Sequence, residues 1–157
     1  MEPRIERALA ITPASRDRER TIDITTTGAR TGRPRRIEVW FYRVDGRIYL
    51  STSPARRSWY ANIVANPDFV FHLKNGVRAD LQAVGTPVLD RAQREAVFSS
   101  IIADLNQPWN PAGIRQPVEP LDEWMRGSPL VSVHFRELDR AHVRELDSAR
   151  FPGGDAG

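Results

Sequence analysis

Residues 35–53 have the sequence RRIEVWFYRVDGRIYLSTS, and this stretch decides the fold class. Two runs rich in β-branched and aromatic residues, 35–44 and 47–53, flank the pair Asp45-Gly46. An Asp-Gly pair between such runs favours a two-residue type I′ turn, because both residues accept a positive φ. The stretch therefore predicts an antiparallel β-hairpin.

A second pair of runs predicts another hairpin. DFVFHLK (68–74) and VRADLQAVGTPV (77–88) flank Asn75-Gly76, which also favours a type I′ turn. Two further strands are predicted over TIDITTTG (21–28) and PLVSVHFREL (129–138), which brings the number of strands to six. Six strands in hairpins, with helices inserted between them, indicate a mainly β, α+β domain built as a small closed or partly closed antiparallel barrel.

Helices are predicted before and between these strands. The first covers 3–11, and the second covers SWYANIVAN, with Ser58 as its N-cap and Asn66-Pro67 as its stop. The third is RAQREAVFSSIIADL, with Asp90 as its N-cap. A proline-rich loop over 106–120 precedes a short helix near 121–126.

The predicted organisation is a single domain. Residues 1–20 form an N-terminal helix and a polar linker, residues 21–140 form the barrel, and residues 141–157 form a flexible tail. No run of apolar residues approaches the ~20 that a membrane span needs, and the N-terminus does not resemble a signal peptide. The chain contains no cysteine, which suits a cytoplasmic protein and excludes thiolate chemistry.

The charge composition favours a small anionic ligand. Lys74 is the only lysine among 23 basic residues, and the formal net charge is +3. Guanidinium groups bind phosphate and carboxylate through two parallel hydrogen bonds and stay charged at any physiological pH. A net charge this modest points to an anionic ligand more than to a nucleic acid, which would require a wide basic face.

The segment Gly28-Ala29-Arg30-Thr31-Gly32-Arg33-Pro34-Arg35-Arg36 is the first candidate anion site. It holds four arginines within seven residues. Its glycines allow backbone N–H groups to converge on an anion, which the arginines then hold through charge-assisted hydrogen bonds. The alternative is a basic hairpin that only faces solvent.

The segment 51–62, STSPARRSWYAN, is the second candidate. It runs from the end of a strand, through the hydroxyls of Ser51, Thr52 and Ser53 and the side chains of Arg56 and Arg57, into the start of a helix. The N-terminus of a helix favours an anion because its first N–H groups are free. The alternative is helix capping alone.

The sequence does not indicate a metal site, a hydrolase active site or a P-loop or Rossmann nucleotide site. The three histidines, His72, His134 and His142, do not have the spacing of a metal site, so we expect structural or solvent-exposed roles. The chain has no GxSxG, Walker A or GxGxxG motif. Trp109 in the proline-rich loop and Trp124 in the helix after it are candidates for covering a flat ring ligand, with core packing as the alternative.

The order of these motifs resembles the deazaflavin-dependent nitroreductase family. TTTGARTGRPRR, a strand, a DG turn, YLSTS and SWYANIVANPDFVFHL follow the family's TTTGRKSGxPR, ASxGG and PxWYxNLxANPxV patterns. The resemblance covers residues 21 to about 88, with PLVSVHF as a further match. It implies a split β-barrel like that of FMN-binding proteins, and coenzyme F420, an 8-hydroxy-5-deazaflavin with a phosphate and polyglutamate tail, as cofactor.

The resemblance also implies roles for individual residues. Arg30, Thr31, Gly32 and Arg35 match positions that contact the phosphate-bearing tail. Ser53 falls on the strand-end serine near the deazaflavin and the substrate, and Trp59 and Asn62 match the WYxN segment. Ser53 or Tyr60 is expected to donate a proton or an orienting hydrogen bond during hydride transfer to a double bond, quinone or nitro compound.

The sequence departs from the family pattern at several positions. Ala29 stands where the family often has a basic residue, and Pro54-Ala55-Arg56-Arg57 replaces a lysine and glycine pair. Three alternatives therefore stay open: an FMN-dependent oxidoreductase, a carrier that binds a cofactor, haem or lipid without turnover, and, last, nucleic-acid binding. The expected partner is a small hydride acceptor, and the protein is expected to be a monomer or a homodimer.

Overall fold

The computed structural model describes residues 1–136, so the predicted tail 141–157, His142 and the end of the predicted strand 129–138 lie outside the described residues. The helices are α1 (Pro3–Leu9), α2 (Asp17–Arg20), α3 (Ser58–Ala65), α4 (Arg91–Leu105) and α5 (Leu121–Gly127). The strands are β1 (Thr21–Thr27), β2 (Pro34–Val44), β3 (Arg47–Ser51), β4 (Asp68–Leu73), β5 (Ala79–Pro87) and β6 (Leu130–Phe135).

The strands form a closed barrel in the order β1-β2-β3-β6-β5-β4. Every neighbouring pair is antiparallel, and β1 pairs with β2 on one side and with β4 on the other, which closes the ring. The predicted fold class and all six predicted strands are confirmed, with ends displaced by a few residues. Within the described residues, no helix combines the length and apolar character needed to cross a membrane.

The two predicted turns have different outcomes. Asp45 (φ 51°) and Gly46 (φ 76°) both have positive φ, as a type I′ turn requires. At the second turn only Gly76 has a positive φ (82°), and the last paired residues are Leu73 and Ala79, so the type I′ prediction there is wrong. The Asn75 side chain instead donates hydrogen bonds to the carbonyls of Arg18 (2.7 Å) and Thr21 (3.2 Å), which holds this connection against the N-terminal segment.

Because neighbouring strands are antiparallel, every second connection between consecutive strands lies at the same rim of the barrel. The connections that follow β1, β3 and β5, and those that precede β2, β4 and β6, all lie there. The two segments predicted to bind an anion, 28–36 and 51–62, therefore meet at this rim. The other rim holds the Asp45-Gly46 turn and the connection between β4 and β5.

Two apolar clusters support the barrel from inside and outside. The interior cluster includes Ile24, Phe41 and Phe71, all fully buried, and α1 contributes Ile5 and Leu9 to it. The exterior cluster lies between the outer faces of β2 and β3 and the helices α4 and α5. It contains the apolar stripe of α4, whose buried members are Val97, Phe98, Ile101 and Leu105.

The helix starts follow the predictions only in part. Asp90 caps α4 as predicted, because its side chain accepts a hydrogen bond from the Gln93 N–H at 2.9 Å. Ser58 is not the N-cap of α3: Arg57 occupies that position, and Ser58 is the first helical residue. Arg57 caps the helix without a side-chain hydrogen bond to it, since its guanidinium donates back to Ser53 instead.

Residues 12–20, expected to be a polar linker, contain a buried anchor instead. The side chain of Arg20 is fully buried and forms two hydrogen bonds to the carboxylate of Asp104 on α4, at 2.7 and 3.0 Å. Its remaining N–H groups donate to the carbonyls of Ser15, Thr12 and Pro13. Arg20 thus fixes the N-terminal segment to the helix that covers the outside of the barrel.

We expect Asp104→Asn to lower the free energy of unfolding by about 3 kcal/mol, because the buried guanidinium of Arg20 loses its countercharge. Urea denaturation at neutral pH measures the change. Asp122→Asn is the matched control, since Asp122 pairs with Arg126 at the surface, where an ion pair contributes roughly 0.5 kcal/mol or less. Equal losses in the two variants would show that Arg20 is not an anchor.

Candidate functional site

A cleft of about 1060 Å³ lies at the rim where the two basic segments meet. It is lined by residues from the loops after β1 and β3, from α3 and from the turn between α5 and β6. Its charged side chains are all arginines, with no aspartate or glutamate among the lining residues: Arg30, Arg35, Arg56, Arg57, Arg94 and Arg126. A cleft with six cations and no internal anion is suited to a ligand that carries several negative charges.

The loop 28–33 has a fixed shape that presents Arg30 to the cleft. The N–H of Gly28 donates to the carbonyl of Arg33 (2.8 Å), and the N–H of Gly32 donates to the carbonyl of Gly28 (2.9 Å). The Thr31 hydroxyl accepts from the N–H of Arg33 at 3.1 Å. A Cβ at position 28 would lie 2.5 Å from that hydroxyl, so a larger residue there would force the Thr31 side chain out of its contact with Arg33.

Asn62 attaches this loop to the body of the protein. Its side-chain oxygen accepts a hydrogen bond from the N–H of Ala29 (2.8 Å), and its nitrogen donates to the hydroxyl of Thr26 on β1 (3.0 Å). Asn62 is buried on α3, so its amide bridges the helix, the strand and the loop. The structure therefore gives Asn62 contacts that position the loop, and it lines the cleft as well.

The arginines of the first segment divide into two groups. Arg30 and Arg35 line the cleft, and neither forms a hydrogen bond or ion pair through its side chain with another described residue. Arg33 and Arg36 are exposed outside the cleft, and the Nε of Arg36 donates to the Asp23 carboxylate at 3.0 Å. The structure thus brings two of the four arginines to the cleft and leaves both available to a ligand.

Asp23 holds Arg36 and Lys74 together on the outside of the barrel. Burial raises the pKa of the Asp23 carboxyl, but hydrogen bonds from Lys74 and Arg36 outweigh that effect and hold its pKa below the ordinary value. The lysine also contacts Glu38, and both carboxylates raise the pKa of its ammonium group. These cations are neutralised within the protein, and neither of them lines the cleft.

The second segment contributes two arginines and a tyrosine to the cleft. Arg56 is exposed and has no partner among the described residues, whereas Arg57 donates to the carbonyl (3.0 Å) and the hydroxyl (3.3 Å) of Ser53. Tyr60 is half-buried and lines the cleft, with its ring against Trp59. Trp59 itself is buried in the interior cluster and does not line the cleft.

Arg94, on α4, lines the cleft and was not predicted from the sequence. Its guanidinium lies 4.9 Å from the ring centre of Phe98 and donates to the carbonyls of Val88, Met125 and Ser128. Burial lowers its pKa, and the neighbouring Tyr60 acts in the opposite sense; the group stays charged at neutral pH. No carboxylate pairs with it among the described residues, so it adds an uncompensated positive charge.

A signal for Arg94 was present in the sequence. It lies three and four residues before Val97 and Phe98, and therefore on the apolar stripe of α4. A charged residue on such a stripe is unusual and marks a special environment. Arg126 had no comparable signal, because it lies at an exposed position near the end of the short helix α5.

A second cavity of about 470 Å³ adjoins the cleft through Arg57, which lines both. Ser51, Thr52, Ser53 and Trp124 line this cavity rather than the cleft. The hydroxyl of Ser51 is buried and donates to the Pro129 carbonyl at 2.7 Å, which joins β3 to the start of β6. Trp109 is 87% exposed and lines neither cavity, and Gly32 (φ 69°) shapes the loop without lining either.

The solved structures that resemble this chain include the following three. The conserved hypothetical protein Rv2991 from Mycobacterium tuberculosis has a TM-score of 0.62 at 22% identity, over 87% of this chain and 82% of that one. The heme storage protein HutZ from Vibrio cholerae has a TM-score of 0.52 at 16% identity, over 87% and 90%. A NimC/NimA family protein from Clostridium acetobutylicum has a TM-score of 0.52 at 11% identity, over 83% and 79%. At these identities the similarity shows the fold alone.

The sequence itself matches a family model over residues 15–104, more than half of the 157-residue chain. That span contains both basic segments, the Asn62 bridge and Arg94. The model describes the F420H(2)-dependent quinone reductases, which confirms the predicted relationship to deazaflavin-dependent oxidoreductases. The chain therefore belongs to the F420H(2)-dependent quinone reductase family.

Proposed function

We propose that this protein binds reduced coenzyme F420 in the cleft and catalyses hydride transfer to a small acceptor of the quinone type. The observation that carries the proposal is the set of six arginines, without an acidic residue, around one cleft at the barrel rim. Membership of the quinone reductase family supports both the coenzyme and the reaction class. We place the reaction in the cytoplasm, with the protein acting as a monomer or a homodimer.

The residues present fit the coenzyme's chemistry. Its tail carries a phosphate and several carboxylates, and Arg30, Arg35 and Arg56 have guanidinium groups with no other partner among the described residues. Each charge-assisted hydrogen bond to such a tail contributes about 1.5–3 kcal/mol. FMN carries a single phosphate and so offers these three guanidinium groups fewer anionic partners than the longer polyanion, which the cleft therefore favours.

The residues near Arg57, where the cleft meets the cavity, would orient the reacting groups or donate a proton to them. When bound, the reduced coenzyme supplies a hydride equivalent to the acceptor. The two candidate hydroxyls are those of Ser53, which lines the cavity, and Tyr60, which lines the cleft. Either can donate the proton that balances the charge of the reduced acceptor or orient it by a hydrogen bond. Arg57 holds Ser53 through two contacts and so fixes the position of that hydroxyl.

We expect the double variant Arg30→Ala/Arg35→Ala to bind coenzyme F420 about a hundredfold more weakly or worse, because each lost contact costs roughly tenfold or more. Turnover of the saturated complex should change little, since a tail contact contributes equally to the ground state and the transition state. Fluorescence titration of the coenzyme, followed by stopped-flow reduction of a quinone, measures both quantities.

The matched control is Arg33→Ala/Arg47→Ala, which removes the same charge from exposed positions outside the cleft. It should change the affinity by roughly threefold at most, through the long-range field alone. If both double variants lose the same affinity, or neither loses any, the cleft is not the coenzyme site. FMN titrated in parallel decides between the two cofactors: FMN binding as tight as that of F420 would overturn the choice of the deazaflavin.

Ser53→Ala tests the reacting end of the site separately. We expect single-turnover hydride transfer to fall by about tenfold, because an orienting hydrogen bond is lost, while coenzyme affinity stays within about twofold. Ser100→Ala, at an exposed position on α4 that lines neither the cleft nor the cavity, is the control and should leave both quantities unchanged. An unchanged rate in Ser53→Ala would remove Ser53 from the reaction and leave Tyr60 as the candidate.

A further inference from the structure

A third cavity, of about 590 Å³, lies at the rim of the barrel opposite the cleft. It is enclosed by α1, α2, the linker between them and residues 75–77 of the connection between β4 and β5, and we call it the N-terminal pocket. Its volume falls within the range of small-molecule sites. None of the residues that line the cleft lines this pocket, so a ligand bound here would not contact the coenzyme site.

The charged side chains of the N-terminal pocket are three arginines and one glutamate. Arg4 is paired with Glu2, and its backbone N–H holds the pKa of that carboxyl below the ordinary value, with a smaller contribution from the charge of Arg7. The carboxylate of Glu19 accepts a backbone hydrogen bond at the start of α2 (2.8 Å). Arg7 and Arg18 are exposed and form no hydrogen bond or ion pair through their side chains with another described residue, so both can bind an anion.

The connection between β4 and β5 adds backbone donors to the pocket. Asn75, Gly76 and Val77 line it, and their N–H groups have no hydrogen-bond acceptor in the part of the chain that the structure describes. Val77 is 7% exposed, and the N–H of a buried residue is paired in the great majority of proteins. Gly76 has a φ of 82°, and successive N–H groups in a turn of this kind form a concave surface that binds anions.

Ser15 adds a buried hydroxyl to the same pocket. Its Oγ accepts a hydrogen bond from the N–H of Thr12 at 2.9 Å, which leaves the hydroxyl hydrogen without an acceptor among residues 1–136. The carbonyl of Ser15 accepts a hydrogen bond from the buried side chain of Arg20 at 3.0 Å. This contact fixes the position of Ser15, so its hydroxyl is held in place before a ligand binds.

The number of donors indicates which kind of anion fits. A carboxylate has two oxygens with about four lone-pair sites, which the forks of Arg7 and Arg18 alone would fill. A phosphate monoester has three acceptor oxygens and about 1.5 to 2 negative charges at neutral pH, so it can also accept from residues 75–77 and from Ser15. Ile11 and Val77 give the pocket an apolar wall, which suits an apolar group on the ester oxygen.

We propose that the N-terminal pocket binds a soluble phosphate monoester of an apolar alcohol. Arg7, Arg18 and the N–H groups of residues 75–77 hold the phosphate, and the apolar group packs against Ile11. The bound ester links α1 and α2 to the connection between β4 and β5. The inference is independent of the proposed function, because the coenzyme cleft lies at the other rim.

The lining of the pocket favours a soluble ester over a phosphate group at a membrane surface. A lipid-binding surface needs apolar side chains that project into the bilayer. The large apolar side chains that are exposed in the described part of the chain are Val64, Leu89 and Trp109, and none of them lines the pocket. Ile11 is half-buried and Val77 is buried, so neither projects from the surface.

Titration of the ¹⁵N-labelled full chain with phenyl phosphate tests the proposal. The backbone amide shifts of residues 75–77 report binding in this pocket, even if the probe also binds the arginines of the cleft. We expect these shifts to give an affinity about tenfold or more above that for phenol, which lacks the charge, or for benzoate, which has fewer acceptors. Inorganic phosphate, which lacks the ring, should bind about threefold more weakly than phenyl phosphate.

Arg7→Gln and Arg18→Gln should each weaken the binding of phenyl phosphate at residues 75–77 by about fivefold or more, because each removes a charge-assisted contact. Arg47→Gln is the matched control: it removes the same charge from an exposed position at the same rim, and Arg47 does not line the pocket. It should change this affinity by roughly twofold at most, through the long-range field alone.

Several results would overturn the proposal. Phenol or benzoate that binds as tightly as phenyl phosphate would exclude a phosphate site, and equal affinities in all three arginine variants would exclude this pocket. Sedimentation with vesicles of equal parts phosphatidylcholine and phosphatidic acid tests the membrane alternative. Chain that sediments with the vesicles but shows no shifts at residues 75–77 with phenyl phosphate would refute a soluble ligand.

The variant Arg30→Ala/Arg35→Ala separates this proposal from the proposed function. It should keep the phenyl phosphate shifts at residues 75–77 and lose affinity for coenzyme F420, whereas Arg7→Gln should do the reverse. Loss of both bindings in Arg30→Ala/Arg35→Ala would show that the two anions share one site and would refute the N-terminal pocket. Wild-type chain that shows the shifts but does not bind the coenzyme would refute the function and retain the pocket.

Discussion

The hydrogen bonds between β1 and β4 close the barrel, and the candidate site depends on that closure. Three residue pairs of β1, at positions 23–25, face β4, while the whole length of β1 faces β2. Closure of the barrel fixes which strand ends lie at the same rim. At this rim the loop after β1 lies beside the loop after β3 and the turn before β6. Residues far apart in sequence thereby form one cleft without a loop of unusual length.

Several arginines of the cleft lack an acidic partner, in contrast to three basic residues elsewhere in the described part of the chain. Arg20 is paired with Asp104, Arg36 with Asp23, and Lys74 with two carboxylates. Arg94, by contrast, is half-buried among backbone carbonyls with no carboxylate partner in the described residues. Carbonyl dipoles and the face of Phe98 stabilise the charge of Arg94 only in part. The binding of an anion in the cleft would stabilise that charge further.

The barrel could be predicted from the sequence because its signals are local. The runs of β-branched and aromatic residues and the Asp45-Gly46 turn are features of a few neighbouring residues, and the structure confirms the strands and this turn. The geometry at Asn75 could not be predicted, because its side chain contacts carbonyls more than fifty positions earlier in the chain, at Arg18 and Thr21. Arg20 was missed for the same reason: its partner Asp104 is 84 positions away.

The candidate site, like the fold, could be predicted only where its signals are local in the sequence. The two basic segments are visible in the sequence, yet only the fold separates Arg30 and Arg35, which face the cleft, from Arg33 and Arg36, which do not. The residues 51–53 line the second cavity, whereas Arg56 lines the cleft, although these residues are close neighbours in the chain. A sequence motif thus identifies the segment, and the strand pairing decides which of its side chains share a surface.

The acid-free lining of the cleft has a consequence for kinetics as well as for affinity. A concave surface with charges of one sign focuses the electric field outward and draws in ions of the opposite sign before contact. Such steering raises association rates by roughly ten- to a thousandfold at low ionic strength and leaves dissociation nearly unaffected. A polyanionic ligand would thus be captured quickly even when scarce, and the speed of capture would depend on the salt around the protein.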